Sequence, residues 1–270
     1  MKNIHFLIVL FFLFTAVSCQ DKDATSMVIA HRGASHYAPE NTVAAAELAW
    51  EQGADAVEID VHLTADDQIV VMHDKDTERT AGEKFILSET LMDSLRMLEV
   101  GGFKAEKYTG EPIPLLNDIV KTLPDDKTLF VEIKSEKKIV PVLEEAFGDH
   151  SKEDQFVFIA FDYETIKAAK KAFPENGAYW LSSQFKADIR TELQRVKDDG
   201  IDGVNLKYSI ITPEVMAIAQ ELGLEVYAWT VDDQGKAREL QAIGVKGITT
   251  NMPDQILAAL SNSTNTPNNL

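Results

Sequence analysis

The stretch from 55 to 74 of this 270-residue sequence concentrates the side chains best suited to chemistry. Glu58, Asp60 and His62 alternate along an apolar segment, so in a β-strand they lie on one face. Charged side chains are almost never fully buried unless they are paired or bind a metal. Two acids on one face of an otherwise apolar strand therefore indicate a metal site. His73 follows at the end of a second short apolar run.

More titratable residues follow other predicted strands. His31 and Arg32 end the first strand, and Glu132 and Lys134 end the strand that begins at residue 128. Three converging carboxylates without an equal number of cations would repel one another unless a hard divalent cation lay between them. Oxygen ligands favour Ca²⁺ or Mg²⁺ over zinc. The sequence therefore predicts one divalent cation, and its three ligands are Glu58, Asp60 and Glu132.

The neighbouring residues suit work on a phosphate group. Arg32 can bind a phosphate through two hydrogen bonds, and Lys134 offers a point charge beside it. His31 and His73 can divide proton transfer, because an ordinary histidine pKa of about 6.5 lets one begin neutral and the other protonated. A metal, a phosphate clamp and an acid/base pair together predict cleavage of a phosphodiester.

Simpler interpretations remain open at this stage. The two acids of the central strand could form ion pairs with Arg32 and Lys134 and bind no metal, although burying four charges stabilises a fold poorly. Either histidine alone could be an ordinary hydrogen-bonded residue, and we interpret His62 as structural or supporting. We place Trp229 and Phe161, which lie near the ends of two predicted strands, in the substrate pocket, with a core position as the alternative for Trp229.

Apolar runs alternate with amphipathic segments along most of the chain, which is typical of parallel βα units. The predicted strands cover 27–30, 56–61, 69–72, 128–133, 156–161, 178–181, 203–206, 225–230 and 247–249. The predicted helices cover 42–52, 88–99, 114–123, 163–173, 186–198, 213–222 and 233–243.

The second and third predicted strands are too close for a parallel crossover, which needs a dozen or more residues. We therefore interpret 69–72 as the return arm of a hairpin, which leaves eight parallel strands. The sequence predicts an α/β fold, a (β/α)8 TIM barrel with a small inserted subdomain at about 75–110. In such barrels the active site lies at the carboxyl ends of the strands. An open doubly wound sheet is the alternative, but no glycine-rich phosphate loop follows the first strand.

Composition limits the classes of partner. The hydrophobic fraction is 45% and the formal charge is −18. The first value supports one large domain, here 27–260, because α/β barrels reach about 250 residues as a single domain. The second argues against nucleic acid as a partner.

The amino terminus has the layout of a secretory signal, with Lys2 before an apolar run too short to span a membrane. The segment ends at Cys19, the sole cysteine of the chain, in a context that resembles a bacterial lipobox. We expect residues 1–19 to be a lipoprotein signal peptide, 20–26 a polar tether and 261–270 a disordered tail. The protein would then be exported and attached to a membrane on the periplasmic or cell-surface side. An ordinary cleaved signal is the alternative.

The motifs together resemble those of the glycerophosphodiester phosphodiesterases. The matching segments are HRGASHYAPENT (31–42), GADAVEIDVHLTADDQIVVMHD (53–74), ERTAG (78–82), YTGEPIPLL (108–116), VEIK (131–134), AWTVDD (228–233) and GITTNMPD (247–254). The chain departs from the family's usual pattern at Ala160, at Asp232 and in the ITTN ending of the final strand. None of these departures lies in the central acid, histidine and cation set.

The resemblance implies a barrel that hydrolyses glycerophosphodiesters to glycerol 3-phosphate and an alcohol. It also implies that Glu58, Asp60 and Glu132 bind Ca²⁺ or Mg²⁺. His31 and His73 match the family's acid/base pair, and Arg32 and Lys134 match its phosphate contacts. Two alternatives remain: a lysophospholipase D or phospholipase-like phosphodiesterase on the same scaffold, and a non-catalytic lipoprotein that binds phosphate esters.

Overall fold

The computed structural model describes residues 25–147 and 152–261. Its strands are β1 (Met27–His31), β2 (Ala56–Leu63), β3 (Ile69–Val71), β4 (Thr128–Ile133), β5 (Phe156–Ala160), β6 (Gly177–Ser182), β7 (Gly203–Lys207), β8 (Glu225–Trp229) and β9 (Gly247–Thr250). Its α-helices are α1 (Val43–Glu51), α2 (Glu78–Ala81), α3 (Met92–Leu95), α4 (Leu116–Val120), α5 (Val140–Phe147), α6 (Tyr163–Ala172), α7 (Ile189–Asp198), α8 (Pro213–Leu222), α9 (Gln234–Ala242) and α10 (Pro253–Ser261).

Eight of these strands are parallel neighbours and close into a barrel. The hydrogen-bonded order is β1-β9-β8-β7-β6-β5-β4-β2, and a further β1–β2 pairing joins the two ends. β3 pairs antiparallel with β2, with Val61 opposite Val71 and Leu63 opposite Ile69. The predicted (β/α)8 barrel and its hairpin are therefore confirmed.

Most of the longer helices begin where a side chain caps the exposed amide groups. The Thr42 hydroxyl accepts a hydrogen bond from the Ala45 amide at the start of α1. Asp162, Asp188 and Asp233 cap α6, α7 and α9 in the same way. Such caps typically contribute about 1 kcal/mol each and set where the helices begin, so α7 begins at Ile189, three residues after the predicted start.

Two predicted helices are wrong in extent, and three helices were not predicted. The only α-helix in the region 88–99 is α3, because the Thr90 carbonyl accepts a hydrogen bond from the Ala65 amide and the chain is extended at Thr90 and Leu91. The only α-helix in the region 114–123 is α4, because the Pro114 carbonyl accepts a hydrogen bond from the Val71 amide. Tertiary pairing with the β2–β3 hairpin overrides helical periodicity at both places. The unpredicted helices are α2, α5 and α10.

The inserted segment, about 75–110, packs on the hairpin through its own apolar cluster. Val70 and Met72 of the hairpin contact Leu87, Met92 and Leu95, whose side chains are nearly inaccessible to water. Other members are Val100 and Ile113. The insertion is therefore attached to the barrel rim beside the strand that carries Glu58 and Asp60.

Apolar side chains form two further layers. The larger layer lies between the barrel and its surrounding helices, and there Phe158 stacks on Phe173 with ring centroids 4.5 Å apart. The smaller fills the barrel interior with Ile29, Ala56, Phe130, Ile159, Tyr179, Leu181 and Tyr227. The interior is packed and closed at depth, so a ligand can enter only at the rim.

The last residue of the predicted tether, Ser26, is part of the fold. Ser26 is buried, and its hydroxyl donates a hydrogen bond to the Val245 carbonyl. The predicted leader and residues 262–270 of the predicted tail lie outside the described residues, and Ser261 is the last residue of α10. Within residues 25–147 and 152–261, no helix is long and apolar enough to cross a membrane.

The outer layer can be tested by substitution of Phe158. Phe158→Ala should lower the free energy of unfolding by about 3–5 kcal/mol, because the lost ring leaves a cavity among fixed neighbours. Urea denaturation measures the change. Phe103→Ala is the matched control, because that ring is 46% exposed and its loss should cost under about 0.5 kcal/mol. Similar costs for the two variants would contradict this account of the core.

Candidate functional site

Two strand registers bring the acids of the barrel mouth together. In the β1–β2 pairing His31 lies opposite Glu58, and in the β2–β4 pairing Asp60 lies opposite Glu132. The strands are parallel, so these residues collect toward the carboxyl end of the barrel. The three acids are only 2%, 0% and 7% exposed. The carboxylates predicted from the sequence therefore share one buried place.

The three carboxylates strongly influence one another, because one oxygen from each lies within 4.8 Å of the others. Burial and the charges of Asp60 and Glu132 raise the pKa of Glu58 well above its ordinary value. Burial and the charge of Asp60 raise the pKa of Glu132 to about 7, against the opposing effect of Lys134. Burial also opposes ionisation of Asp60, but the charges of Lys134 and Arg32 outweigh it and lower the pKa. Asp60 is the acid that stays charged.

Each acid has one deeply buried oxygen with few or no partners among the described residues: Glu58 Oε1, Asp60 Oδ1 and Glu132 Oε1. Lys134 Nζ lies 3.1 Å from the Asp60 oxygen and 2.6 Å from the Glu132 oxygen, so one ammonium group serves both. Glu58 Oε1 has no partner among the described residues. Three buried carboxylate oxygens that converge with so few partners fit a hard divalent cation.

The metal-free interpretation is therefore correct only in part. Asp60 does form the ion pairs, with Arg32 Nε at 3.2 Å and Lys134 Nζ at 3.1 Å. Glu58 instead accepts a hydrogen bond from the backbone amide of Arg32 at 2.9 Å. The two cations do not neutralise all three acids.

The loop after β1 has an unusual backbone that fits it around Asp60. Arg32 and Asn41 have positive φ angles of 55° and 59°, which cost energy for residues with a side chain. Two hydrogen bonds of the Asn41 side chain offset this cost: Nδ2 donates to Asp60 Oδ2 at 2.8 Å, and Oδ1 accepts from the Asp60 amide at 3.1 Å. Gly33 is required between them, because a Cβ there would lie 2.5 Å from the Ala45 carbonyl carbon.

His31 is held through an amide. Its Nδ1 lies 2.8 Å from Asn251 Oδ1, which can only accept, so Nδ1 carries a proton. The orientation of Asn251 is set by Asp232, because Asn251 Nδ2 donates to Asp232 Oδ2 at 2.7 Å. Burial and the charge of Arg32 lower the pKa of His31 to about 4. His31 is therefore neutral at pH 7, with Nε2 free to accept a proton.

His73 is held through a carboxylate. Its Nδ1 lies 2.7 Å from Asp74 Oδ1, and its side chain is 33% exposed. His62 Nε2 lies 3.2 Å from the His73 carbonyl oxygen, and its supporting role stays a prediction. The two histidines at this site thus have unlike partners.

A cavity of about 170 Å³ lies at the barrel mouth, and its wall includes both histidines, His31 and His73, and the acids Glu58 and Glu132. Phe161 and Trp229 form part of its wall, with ring centroids 5.4 Å apart at 86°. The structure therefore brings both predicted pocket residues to the predicted site. Two further wall residues, Asn205 and Thr249, carry buried side-chain oxygens without a hydrogen-bond partner. The other lining residues are Arg32, Lys134, Ile159, Leu181 and Thr230.

The sequence predictions missed the residues that hold the central set in place. They share a polar side chain that contacts a predicted site residue or its partner, and they are Glu40, Asn41, Asp74, Arg79, Asp232 and Asn251. The signal was present in the PENT, ERTAG and NMPD segments, but their roles depend on contacts between distant parts of the chain.

The sequence of this chain is similar to known proteins over most of its length. Residues 31–255 match the sequence model of the Glycerophosphoryl diester phosphodiesterase family. YhdW of Bacillus subtilis strain 168 is 33% identical over 234 residues, which are 85% of this chain and 96% of the relative. A glycerophosphodiester phosphodiesterase of Caldanaerobacter subterraneus subsp. tengcongensis is 32% identical over 243 residues, which are 86% of this chain and 96% of the relative.

Solved structures are similar over the same region. An Oleispira antarctica phosphodiesterase, solved with the product sn-glycerol-3-phosphate, superposes with a TM-score of 0.82 and is 28% identical. The match covers 88% of this chain and 97% of that one. A Parabacteroides distasonis glycerophosphodiester phosphodiesterase superposes with a TM-score of 0.76 at 25% identity and covers 89% and 99% of the two chains.

The mutual repulsion of the three buried acids predicts that Glu132→Gln changes the free energy of unfolding in a pH-dependent way. The pKa of Glu132 is raised in the folded protein, so its ionisation costs stability as the pH rises toward and beyond 7. Without a divalent cation, the variant should be more stable than the wild type at pH 8, and the difference should shrink toward pH 5. A difference of 1 kcal/mol would change the melting temperature by roughly 2–4 °C.

Addition of Ca²⁺ or Mg²⁺ should reverse the order, because the variant loses one charged ligand while the wild type gains stability from binding. Thermal unfolding with chelator and with each cation measures this. Glu47→Gln, an exposed substitution on α1, should behave as the wild type does. A wild type that responds to neither cation would contradict the assignment of the acids to a metal site.

Proposed function

The chain belongs to the glycerophosphoryl diester phosphodiesterase family and is a hydrolase, and from this premise we propose how its own residues cleave a glycerophosphodiester. The products would be glycerol 3-phosphate and an alcohol, in keeping with the product bound to the similar Oleispira antarctica enzyme. The observation that carries the proposal is one cavity lined by two differently partnered histidines and by Glu58 and Glu132, two members of the buried cluster of three acids.

One Ca²⁺ or Mg²⁺ would be held by Glu58, Asp60 and Glu132. Their oxygens are the hard ligands that both ions prefer, and none of the three has a complete set of hydrogen bonds. When bound, such an ion polarises a phosphoryl oxygen and offsets the charge that develops on it.

Arg32 and Lys134 would bind the remaining phosphate charge. Both line the cavity, and both already form ion pairs with Asp60. The guanidinium group of Arg32 is oriented by Glu40, with Nη1 2.9 Å from Glu40 Oε1. Lys134 Nζ lies 5.9 Å from the centre of the Phe161 ring, which marks the wall where the phosphate would meet the pocket.

The partners of the histidines support different roles for them. His31 would be the base, because it is neutral and its Nε2 is free to take a proton from the attacking hydroxyl. His73 would be the acid, because its Nδ1 contacts the Asp74 carboxylate and its Nε2 is left to give a proton to the leaving alcohol. The charge of the partner, an amide for one and a carboxylate for the other, distinguishes the two roles.

The size of the cavity favours a small head group. Its volume of about 170 Å³ is below the roughly 300–1,000 Å³ of sites for drug-sized ligands. A head group of a few atoms would fill it, so the acyl chain of a lysolipid would have to lie outside the barrel mouth. Phe161 and Trp229 would pack against the glycerol or the departing alcohol.

We further propose that the protein is an exported lipoprotein attached to a membrane through Cys19. Support comes from the leader sequence, in which one cysteine follows an apolar run and small residues. Ser26 is already bonded to the Val245 carbonyl, so a tether of at most six residues, 20–25, would separate the barrel from the membrane surface.

The chemical proposal predicts loss of turnover when either histidine is removed. With Ca²⁺ or Mg²⁺ present, His31→Ala and His73→Ala should each lower kcat about 10²-fold or more, because a positioned acid or base contributes roughly 10²–10⁴ in rate. The measurement is release of glycerol 3-phosphate from glycerophosphocholine, and the cyclic phosphate is quantified as a second product. His36→Ala removes an exposed histidine and should stay within twofold of the wild type.

Two results would overturn the substrate assignment. The first is a metal-loaded wild type that is inert on glycerophosphocholine and glycerophosphoethanolamine. The second is faster turnover of lysophosphatidylcholine, which would favour a lysophospholipase D.

The membrane proposal predicts that Cys19→Ala prevents incorporation of labelled palmitate and releases the protein from the membrane fraction. His31→Ala is the control, because it leaves the leader unchanged and should remain labelled and membrane-bound. Recovery of unlabelled wild-type protein in the soluble fraction would indicate an ordinary cleaved signal.

A further inference from the structure

Arg79 contacts the site from outside the cavity. It lies in α2 of the inserted segment and uses all three guanidinium nitrogens. Nε donates to Asp74 Oδ2 at 2.6 Å, and Nη1 and Nη2 donate to Glu40 Oε2 and Oε1 at 2.9 and 2.7 Å. A fork with two parallel hydrogen bonds on one carboxylate and a third on another fixes both acids relative to each other.

Each of these acids also contacts a residue of the cavity. The other oxygen of Asp74 binds His73 Nδ1 at 2.7 Å. Glu40 Oε1 also accepts from Arg32 Nη1 at 2.9 Å. A continuous chain of charged contacts therefore runs from Arg32 through Glu40, Arg79 and Asp74 to His73.

The backbone that carries Arg79 is firmly placed. Thr77, directly before α2, is fully buried, and its hydroxyl donates to the Glu83 carbonyl at 2.6 Å and accepts from the Phe85 amide at 3.1 Å. These bonds close the α2 turn within the insertion, whose apolar cluster rests on the hairpin. These contacts fix the position of the backbone that carries the Arg79 guanidinium group.

The arrangement is poorly explained by stability alone. The Arg79 side chain is 45% exposed, and exposed ion pairs contribute only about 0–1 kcal/mol to folding. The three oxygens that it contacts belong to two acids, Glu40 and Asp74, which lie in separate loops that begin at the cavity residues Arg32 and His73. The geometry favours orientation of those residues as its main effect.

We propose that Arg79 is a positioning residue that orients the proton donor His73 through Asp74 and the phosphate contact Arg32 through Glu40. This inference rests on the function proposed above and extends it by giving the inserted segment a part in the reaction. No atom of Arg79 touches the substrate in this role. The insertion sets the relative position of the acid and the phosphate clamp.

The first experiment compares Arg79→Met, Arg79→Lys and the control Arg96→Met in the full metal-loaded chain. Arg96 belongs to the same insertion, is similarly exposed and pairs instead with Asp118. Arg79→Met should lower kcat about 10–100-fold on glycerophosphocholine and raise KM a few-fold, since small misplacements of catalytic groups can cost about 10²-fold. Arg79→Lys should recover only part, because lysine cannot form the fork. Arg96→Met should stay within twofold.

A double-mutant cycle separates positioning from a merely structural effect. Arg79 acts on His73 only through Asp74 in this proposal, so in an Asp74→Asn background Arg79→Met should add little to the loss of kcat and should still raise KM a few-fold through Glu40 and Arg32. Multiplicative losses in the double variant, or equal behaviour of Arg79→Met and Arg96→Met, would overturn the inference.

A measurement without turnover keeps this test independent of the proposed function. In ¹⁵N-histidine NMR at pH 9, above the ordinary titration range of imidazole, the wild type should show His73 protonated at Nδ1, because Asp74 can only accept. Arg79→Met should move the proton toward Nε2, and Arg96→Met should not. An inert wild type would overturn the proposed function, whereas an unchanged His73 tautomer in Arg79→Met would overturn the role of Arg79.

Discussion

Mutual repulsion among three buried carboxylates is the constraint on which the site depends. Glu58, Asp60 and Glu132 place oxygens within 4.8 Å of one another in a place from which water is nearly excluded. Such a group is tolerable only if positive charge approaches it or some of its members bind protons. Arg32 and Lys134 provide the first remedy for Asp60, and the raised pKa values of Glu58 and Glu132 express the second. A divalent cation would satisfy all three acids at once.

The two histidines of the site differ in the side chain that contacts each ring. Each ring is held at Nδ1, so that Nε2 is left for chemistry. His31 meets an amide that Asp232 has oriented, and the ring stays neutral. His73 meets the carboxylate of Asp74 instead. The two rings therefore face the same cavity with unlike partners, one neutral and one negatively charged.

The inserted segment belongs to the site as much as the barrel does. It rests on the β2–β3 hairpin through an apolar cluster, and its α2 helix carries Arg79 to the carboxylates behind His73 and Arg32. The barrel supplies strand ends at fixed separations, whereas the insertion supplies ionic contacts between loops. Both therefore contribute residues to the polar network around the cavity.

The sequence by itself determined the barrel and the central set of residues. Alternation placed Glu58 and Asp60 on one face, and strand ends placed His31, Glu132 and Lys134 at one rim, because local periodicity and parallel pairing suffice for those inferences. Only the tertiary structure decided how far the helices near 88–99 and 114–123 extend, since hydrogen bonds to the hairpin override periodicity there. It also decided the contacts between distant segments, such as His31 with Asn251, which lie 220 residues apart. Hydrogen bonds of this kind depend on distances that no local pattern encodes.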